Sequence, residues 1–456
     1  ALYTNNADNN TGIGHGALTA NTTGTRNLAI GTNALDAATT VNDNTAIGHD
    51  ALTANTSGFK NTAVGSGAGE GNTEGDNLVA VGFNAAENNT TADDNTAIGS
   101  QALFTNTTGA KNTAVGMSAL YNNTAGENIA VGVNAMASNT TGTRNIAIGV
   151  DAYDASDTEN DNIAIGHNAM TANTAGGEQN VAVGNYALDA LTSGDGNTAL
   201  GYNSLGANTT GANNTAVGIN SLANNTTGTT NSALGEGALT TNTTGSTNVA
   251  IGTSTLYSNT TGTLNTAIGV SSLFANTTAS SNTGLGYNTL NQNTTGTRNI
   301  AIGALAYDAS DTENDNIAIG YAAMTTNTAG GVSNTAIGNY AGDAITSGDA
   351  NVILGYTAGS GVTTGTGNVF LGYQAGTDTV ATTTGNYNVC IGLNTRSASA
   401  GYHNSIAIGH NIDAGANQFA FGSAGGKTYN DFTSDNSWTQ GSDVRKKKNI
   451  KDSILG

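Results

Sequence analysis

The sequence lacks residues that several common classes of protein need. Its 456 residues include no proline, one tryptophan and one cysteine. A single cysteine excludes an internal disulfide framework and a cysteine-rich metal site. Lys and Arg number 12 against 32 Asp and Glu, so we expect no binding to nucleic acid, whose phosphates need basic partners. Because no run of about 20 apolar residues occurs, we expect no membrane insertion.

The composition is dominated by Asn, Thr, Gly and Ala, with 64 glycines and only 10% charged residues. Such a chain is either disordered or built from regular repeats, and periodicity separates the two cases. The chain starts at Ala1, with neither Met nor a signal-type apolar segment. We therefore expect a processed chain or a piece of a longer protein.

Short sequences of the type Asn-Thr-Ala-Ile-Gly recur along almost the whole chain. Their closing glycines begin with a strict spacing of 17 residues, at Gly14, Gly31, Gly48, Gly65, Gly82, Gly99 and Gly116. Each unit offers short β-prone runs and polar turns, and leaves no room for a helix of useful length. The pattern predicts an all-β protein, a parallel β-solenoid (β-roll) of about 24 coils over residues 1–422.

A longer duplication lies on top of the short repeat. Residues 143–197 return as residues 297–351, at an offset of 154 residues. This offset is nine units of 17 plus one residue. A solenoid lengthens by such block duplication without changing its cross-section, which supports the solenoid prediction.

The two faces of the first β-prone run differ in side-chain size. In the unit around Gly48, Ala46 points to one face and Ile47 to the other, because side chains alternate along a strand. The small column suits a narrow coil interior, and the large column needs cover that one coil cannot give. We therefore predict a homo-oligomer, and expect the leucines of a second extended segment to join its interface (Leu18, Leu35, Leu52, Leu103 and Leu120).

An asparagine begins the first run of most units. Stacked amides can bond to one another along the axis of a β-structure. We expect such a structural ladder to include Asn27, Asn44, Asn61, Asn95 and Asn112. The Asn-x-Thr triplets elsewhere in the units formally match the N-glycosylation acceptor, but their regular recurrence indicates turn chemistry.

The repeats resemble a known family of surface proteins. The string NSIAIGHN at 404–411 and the NTAIG strings elsewhere are similar to the head repeats of trimeric autotransporter adhesins. The resemblance covers about nine-tenths of the chain. It implies a homotrimer of parallel β-rolls.

A second resemblance lies at the C-terminal end. The segment GSDVRKKKNI at 441–450 looks like the opening of the endosialidase-type intramolecular chaperones of phage tail fibres and tailspikes. The resemblance implies self-cleavage between Ser442 and Asp443, with Ser442 as nucleophile and Lys447 as its base. Residues 423–442 are then a linker or neck, and residues 443–456 the truncated start of the chaperone. The alternative is a basic tail that merely follows the repeats in the sequence.

Two further groups of residues are candidates for metal binding. Asp154, Asp157, Glu159 and Asp161 could supply oxygen ligands to Ca²⁺, or simply form a solvated turn, and we expect no other cofactor. Histidines directly follow the repeat glycine at His15, His49, His167 and His410, where other units have tyrosine. A position that accepts both residue types is more typical of a variable surface than of a metal site.

No constellation for catalysis on an external substrate occurs in the sequence, so we do not expect an enzyme. The sequence predicts the shaft of a homotrimeric viral fibre, a phage tail fibre located in the virion, which attaches to a host-surface glycan or receptor. The alternative is a bacterial trimeric adhesin or extracellular filament at the cell surface.

Overall fold

The computed structural model describes residues 7–327, 329–377, 384–433 and 439–441. The described residues contain no helix, and therefore none that is long and apolar enough to cross a membrane. The chain divides into two compact units, Ala1–Thr244 and Gly245–Gly456. Within each unit, short parallel strands recur about every 17 residues, which gives about 24 turns among the described residues. This confirms the predicted parallel β-solenoid.

The first unit contains fourteen strands among its described residues, and each is three residues long. Their bounds are β1 (Thr11–Ile13), β2 (Leu28–Ile30), β3 (Thr45–Ile47), β4 (Thr62–Val64), β5 (Val79–Val81), β6 (Thr96–Ile98), β7 (Thr113–Val115), β8 (Ile129–Val131), β9 (Ile146–Ile148), β10 (Ile163–Ile165), β11 (Val181–Val183), β12 (Thr198–Leu200), β13 (Thr215–Val217) and β14 (Ser232–Leu234).

The second unit continues this pattern and then departs from it near its end. Its three-residue strands are β15 (Val249–Ile251), β16 (Thr266–Ile268), β17 (Thr283–Leu285), β18 (Ile300–Ile302), β19 (Ile317–Ile319), β20 (Thr335–Ile337), β21 (Val352–Leu354), β22 (Val369–Leu371) and β23 (Val389–Ile391). The remaining strands are β24 (Arg396–Ser397), β25 (Ile406–His410), β26 (Asp413–Ala414), β27 (Gln418–Ser423), β28 (Gly426–Asp431) and β29 (Thr439–Gly441).

Within each unit, the three-residue strands pair with their equivalents in the next coil, residue against equivalent residue. In β3 and β4, Ala46 lies opposite Ala63, and Ile47 lies opposite Val64. The backbone N–H of Thr45 donates to the carbonyl of Asn61 at 2.8 Å. Because equivalent residues stack, the residues at one position of successive repeats form one column of side chains along the unit.

The interior of each coil is formed by the middle residue of the strand and by the Ala-Leu pair that comes after it. Ala46, Ala51 and Leu52 are all completely buried. The expectation that Leu52 and its equivalents join an interface between chains is wrong, because each coil buries its own leucine. The predicted second extended segment is also wrong, because Leu52 lies in a turn with φ at 51°.

The left-handed backbone at the leucine position is unfavourable, and burial of the leucine side chain compensates for it. A left-handed conformation costs a non-glycine residue about 1–2 kcal/mol. Complete burial of a leucine side chain stabilises by about 1.5–3 kcal/mol. Burial therefore outweighs the backbone strain, and the turn directs the leucine back into its own coil.

The glycine that closes each strand is required by the close approach of neighbouring coils. Gly48 has φ at 142°, and a Cβ atom added to it would lie 2.2 Å from the carbonyl oxygen of Gly65 in the next coil. No side chain fits this corner at that distance, so the repeat glycine marks the contact between successive coils.

Volume is conserved where a coil departs from the consensus. Phe370 replaces the small middle residue of β22 and is almost completely buried, and Gly376 stands at the leucine position of the same coil. A Cβ atom added to Gly376 would lie 2.5 Å from the Phe370 ring. The phenyl ring thus fills the space that the leucine fills elsewhere. Cys390 is likewise buried, and its burial raises the pKa of the thiol to about 12.

Parallel stacking ends near the C-terminal end of the second unit. β27 pairs in parallel with β25 on one edge and antiparallel with β28 on the other. β28 then pairs antiparallel with β29. In this hairpin, β28 pairs with the edge of β27 at which a further coil would be added. This pairing protects that edge from other strands. Residues 423–431, the first part of the predicted linker, form this hairpin.

We predict that Phe370 and Gly376 compensate each other. Gly376→Leu alone should overpack the coil and destabilise by about 1–3 kcal/mol. Phe370→Ala alone should leave a cavity and cost about 3–5 kcal/mol. The double variant restores the consensus Ala and Leu and should unfold close to the parent temperature in thermal denaturation. A double variant as unstable as the sum of the single changes would contradict the compensation.

Candidate functional site

The outward face of the strands carries an uncharged and largely apolar surface. It consists of the first and third residues of each three-residue strand, which point away from the buried middle residue. We call it the apolar strip. In β1–β23 these two positions hold only Thr, Ser, Leu, Ile and Val. The third residues of four strands are 43–48% exposed in the single chain, and they are Leu200, Leu234, Leu285 and Leu354.

In the coils of β1–β23, charged side chains lie in the turns, away from the strip. At one turn position, directly before the first asparagine of a coil, some neighbouring coils carry opposite charges. There Arg26 contacts Asp43 at 2.5 Å, and Arg144 contacts Asp161 at 2.6 Å. The guanidinium of Arg26 lowers the pKa of Asp43 by hydrogen bonding and charge. The acidic side chains therefore lie outside the strand face.

The five asparagines predicted to form a ladder are buried directly before β2, β3, β4, β6 and β7, and Leu78 takes their place before β5. The Oδ1 of Asn27 accepts the backbone N–H of Asn44 at 3.0 Å, and the Oδ1 of Asn44 accepts that of Asn61 at 2.9 Å. The Oδ1 of Asn95 accepts the backbone N–H of Asn112 at 2.8 Å. Each bond runs from side chain to backbone, so each amide also fixes the start of the next strand.

The Nδ2 atom of these asparagines donates to a backbone carbonyl in a turn of the next coil. The Nδ2 of Asn44 donates to the carbonyl of Gly58 at 3.1 Å, and that of Asn61 donates to the carbonyl of Gly75 at 2.9 Å. Leaving a buried amide unpaired would cost about 1–3 kcal/mol. The column therefore connects strand and turn while satisfying its own polar groups.

A second asparagine column, which the sequence reasoning interpreted only as turn chemistry, also bonds along the axis. Asn72, Asn89 and Asn106 begin the polar turns and are completely buried. The Nδ2 of Asn89 donates to the Oδ1 of Asn72 at 2.7 Å, and the Nδ2 of Asn106 to the Oδ1 of Asn89 at 3.0 Å. The regular spacing of these asparagines is the signal that could have revealed the column. Because these asparagines are buried, they are inaccessible to glycosylation in the folded chain.

The duplicated block interrupts the second column and replaces it with a buried tyrosine. Ser156 stands where other coils have the turn asparagine, and Tyr153 occupies the leucine position of that coil. The Tyr153 hydroxyl accepts hydrogen bonds from Nδ2 of Asn162 at 2.6 Å and of Asn173 at 3.2 Å. Burial raises the pKa of this phenol far above its ordinary value. The phenol thus supplies the acceptor that the missing asparagine would provide.

The four carboxylates considered for Ca²⁺ have separate environments. Glu159 is almost fully buried, and its Oε2 accepts the backbone N–H groups of Asp157 and Thr158, each at 3.0 Å. Asp161 pairs with Arg144. Burial and the nearby Asp151 carboxylate raise the pKa of Asp154, which disfavours its charged form. Within the described part of the chain, no group of three or more His, Cys, Asp or Glu side chains is arranged to hold a metal ion.

The position directly after the repeat glycine is exposed, as the mixture of residue types suggested. Two rows of aromatic side chains begin there, one in each unit, and we call them the aromatic ridges. The first ridge is His167, Tyr186 and Tyr202, and the second is Tyr321, Tyr340, Tyr356 and Tyr373. Ring centroids within the second ridge are 5.4, 6.3 and 5.4 Å apart.

The residues predicted for self-cleavage, Ser442, Asp443 and Lys447, lie outside the described residues.

No protein-family profile matches the chain, and a search of curated proteins finds no match. The apolar strip and the aromatic ridges are therefore interpreted from their own chemistry.

We predict that Glu159 and its duplicate Glu313 are structural acceptors that need no calcium. Glu159 Oε1 also accepts the N–H of Gly176 at 3.1 Å. A glutamine has only one acceptor atom, so Glu159→Gln should destabilise the fold by about 1–3 kcal/mol. Thermal denaturation should show this loss equally with Ca²⁺ and with EDTA.

The control is Glu236→Gln, because Glu236 is exposed in the same unit. It should leave the unfolding temperature unchanged. A rise of the parent unfolding temperature on adding Ca²⁺, absent from Glu159→Gln, would instead establish a calcium site.

Proposed function

We propose that the chain is a structural fibre protein that assembles with copies of itself through the apolar strip. The observation that carries this proposal is the strip itself, an uncharged face repeated on β1–β23 whose side chains are half-buried to exposed in the single chain. Exposed apolar surfaces of this kind are typical of interaction sites. Strand propensity favours uncharged, β-branched residues at these positions, but it does not account for leucines that are left 43–48% exposed at the third position.

A second copy of the chain is the partner that fits the strip best. Successive strands of a sheet lie about 4.8 Å apart, so the strip repeats its side chains with that spacing. A partner that covers it must repeat with the same spacing, and another copy does so by construction. Residues 1–442 carry thirty acidic and seven basic side chains. The strand face is where two such acidic surfaces can meet without like charges opposing each other.

We further propose that three copies form the shaft of a phage tail fibre in the virion. The number of copies rests on the resemblance of the repeats to trimeric adhesin heads. The viral setting rests on the chaperone-like segment at 441–450. In this proposal the shaft holds an attachment end at the surface of the host and contributes to binding a surface glycan or receptor. Self-cleavage after Ser442 would then make assembly irreversible, because the released trimer could not refold by the same route.

A bacterial trimeric adhesin is the second candidate, and the string NSIAIGHN at 404–411 favours it. The apolar strip would serve both proteins in the same way. The two candidates differ in the domain expected downstream of the repeats, since an adhesin needs a membrane anchor and a tail fibre a chaperone domain. The sequence of the gene product beyond Gly456 therefore distinguishes them.

We predict that multi-angle light scattering gives three times the chain mass of 45.1 kDa. Leu200→Glu combined with Leu234→Glu should reduce this mass towards that of one chain. Each change removes about 0.7–1.5 kcal/mol of apolar burial per chain, because about half of each leucine is already buried in the single chain, and would place unpaired charges in the contact. The effect should appear without loss of the β-rich circular dichroism spectrum.

The matched control is Leu264→Glu, because Leu264 is 59% exposed but lies in a turn, outside the strip. It should leave the mass unchanged. A parent protein that is monomeric at all concentrations measured, or a control that dissociates as readily as the strip variant, would refute assembly through the strip.

We predict that a chain extended by its downstream segment is cut between Ser442 and Asp443. Ser442→Ala should abolish the cut because it removes the attacking hydroxyl. Lys447→Met should slow it by at least about 100-fold because it removes the base. Intact mass spectrometry of the products measures both effects. Cleavage that persists in Ser442→Ala would exclude the assigned nucleophile, and absence of cleavage in the parent would leave the basic-tail interpretation.

A further inference from the structure

The two aromatic ridges begin at equivalent places in the duplicated block and end just beyond it. His167, Tyr186 and Tyr202 correspond to Tyr321, Tyr340 and Tyr356 at the offset of 154 residues. Both ridges cross a coil that contains one additional residue, in the turns with Gly176 and Gly330. The second ridge extends one coil further, to Tyr373, where the first unit has Ile219. The arrangement thus accompanies the duplication and is most complete in the second unit.

The second residue of each ridge is a tyrosine in a backbone conformation that disfavours it. Tyr186 and Tyr340 have φ at 60° and 58°. Other coils mostly have Asn, Asp, Ser or Gly at this position, residues that tolerate a left-handed backbone more easily. Tyr340 is nevertheless 37% exposed, so burial in the coil interior does not account for it. A strained residue that the coil does not need indicates a role at the surface.

The chemistry around the second ridge is neutral or acidic. No Lys or Arg occurs between Arg298 and Arg396. Desolvation, followed by the neighbouring rings Tyr321 and Tyr356 and by the Asp343 carboxylate, raises the pKa of Tyr340. An anionic ligand would find no positive partner on these coils, so sulfated, phosphorylated and carboxylated ligands are disfavoured.

The ridge combines apolar ring surface with hydroxyl and amide groups. The Oδ1 of Asn339 accepts the backbone N–H of Tyr321 at 2.9 Å, which fixes this amide beside the ridge. Aromatic rings with a polar end suit a ligand that has both apolar faces and hydrogen-bonding edges. A pyranose ring has this character, with C–H groups on its faces and hydroxyl groups around its edge.

We propose that the second ridge binds a neutral glycan chain that runs along successive coils. The steps of 5.4–6.3 Å between ring centroids are close to the length of one hexopyranose unit in an extended chain. Successive sugars can therefore contact successive tyrosines. The proposal deepens the proposed attachment function and rests on it for the biological setting, but the binding itself does not need the assembled trimer.

The test is a glycan array of neutral oligosaccharides, followed by affinity electrophoresis in gels that contain a neutral polysaccharide or dextran sulfate. The parent protein should bind neutral glycans and should not be retarded by dextran sulfate. The variant Tyr340→Asn with Tyr356→Thr should bind at least ~10-fold more weakly, since loss of about 1.4 kcal/mol has that effect. Both new residues occur at the same positions of other coils, as Asn203 and Thr253, so the fold should be retained.

The control is Tyr287→Thr, because Tyr287 is 55% exposed after a repeat glycine but lies outside the ridge. It should bind like the parent. Absence of binding to all neutral glycans, binding to dextran sulfate alone, or equal binding by the ridge variant would overturn the proposal. Light scattering of the same variant separates the two functions, because a reduced mass would place the ridge in the contact between chains and overturn glycan binding there.

Discussion

The structure depends on hydrogen bonding from each coil to the next. A coil of 17 residues has too little interior to satisfy its own backbone, so N–H groups such as that of Thr45 find their acceptors one coil further along. The same constraint explains the absence of proline, since it supplies no N–H. It explains the repeat glycines as well, because the carbonyl of Gly65 lies where a side chain on Gly48 would be.

The sequence was sufficient to predict the β-solenoid, its period and its alanine interior, because stacking converts each sequence column into a structural column. It was insufficient for the leucines. A short apolar pair such as Ala51 and Leu52 fits an extended strand equally well, and only the left-handed backbone at Leu52 turns the side chain inward. The second asparagine column was missed for a related reason. A turn asparagine is ordinarily solvated, whereas Asn89 is covered by the coils on either side.

The exceptions to the repeat show which property the interior conserves. Phe370 is accommodated by Gly376, which conserves volume. Tyr153 is accommodated where Ser156 replaces an asparagine. Its hydroxyl accepts a hydrogen bond from the side-chain amide of Asn173, so an acceptor is conserved at this place. Glu159, at a turn position that is glycine in most coils, satisfies the backbone around it. The interior therefore tolerates changes of residue type as long as space and hydrogen bonds remain filled.

This tolerance bears on the outward face. Residues inside a coil are constrained by that coil and its neighbours, and each unit satisfies those constraints within one chain. The outward strand positions remain uncharged from Thr11 in β1 to Leu371 in β22. Strand propensity and repulsion between like charges on paired strands explain part of this restriction. They do not explain the leucines that stay 43–48% exposed at the third position, such as Leu200 and Leu234. In the proposed assembly a copy of the same chain covers these leucines, because its strands have the same spacing.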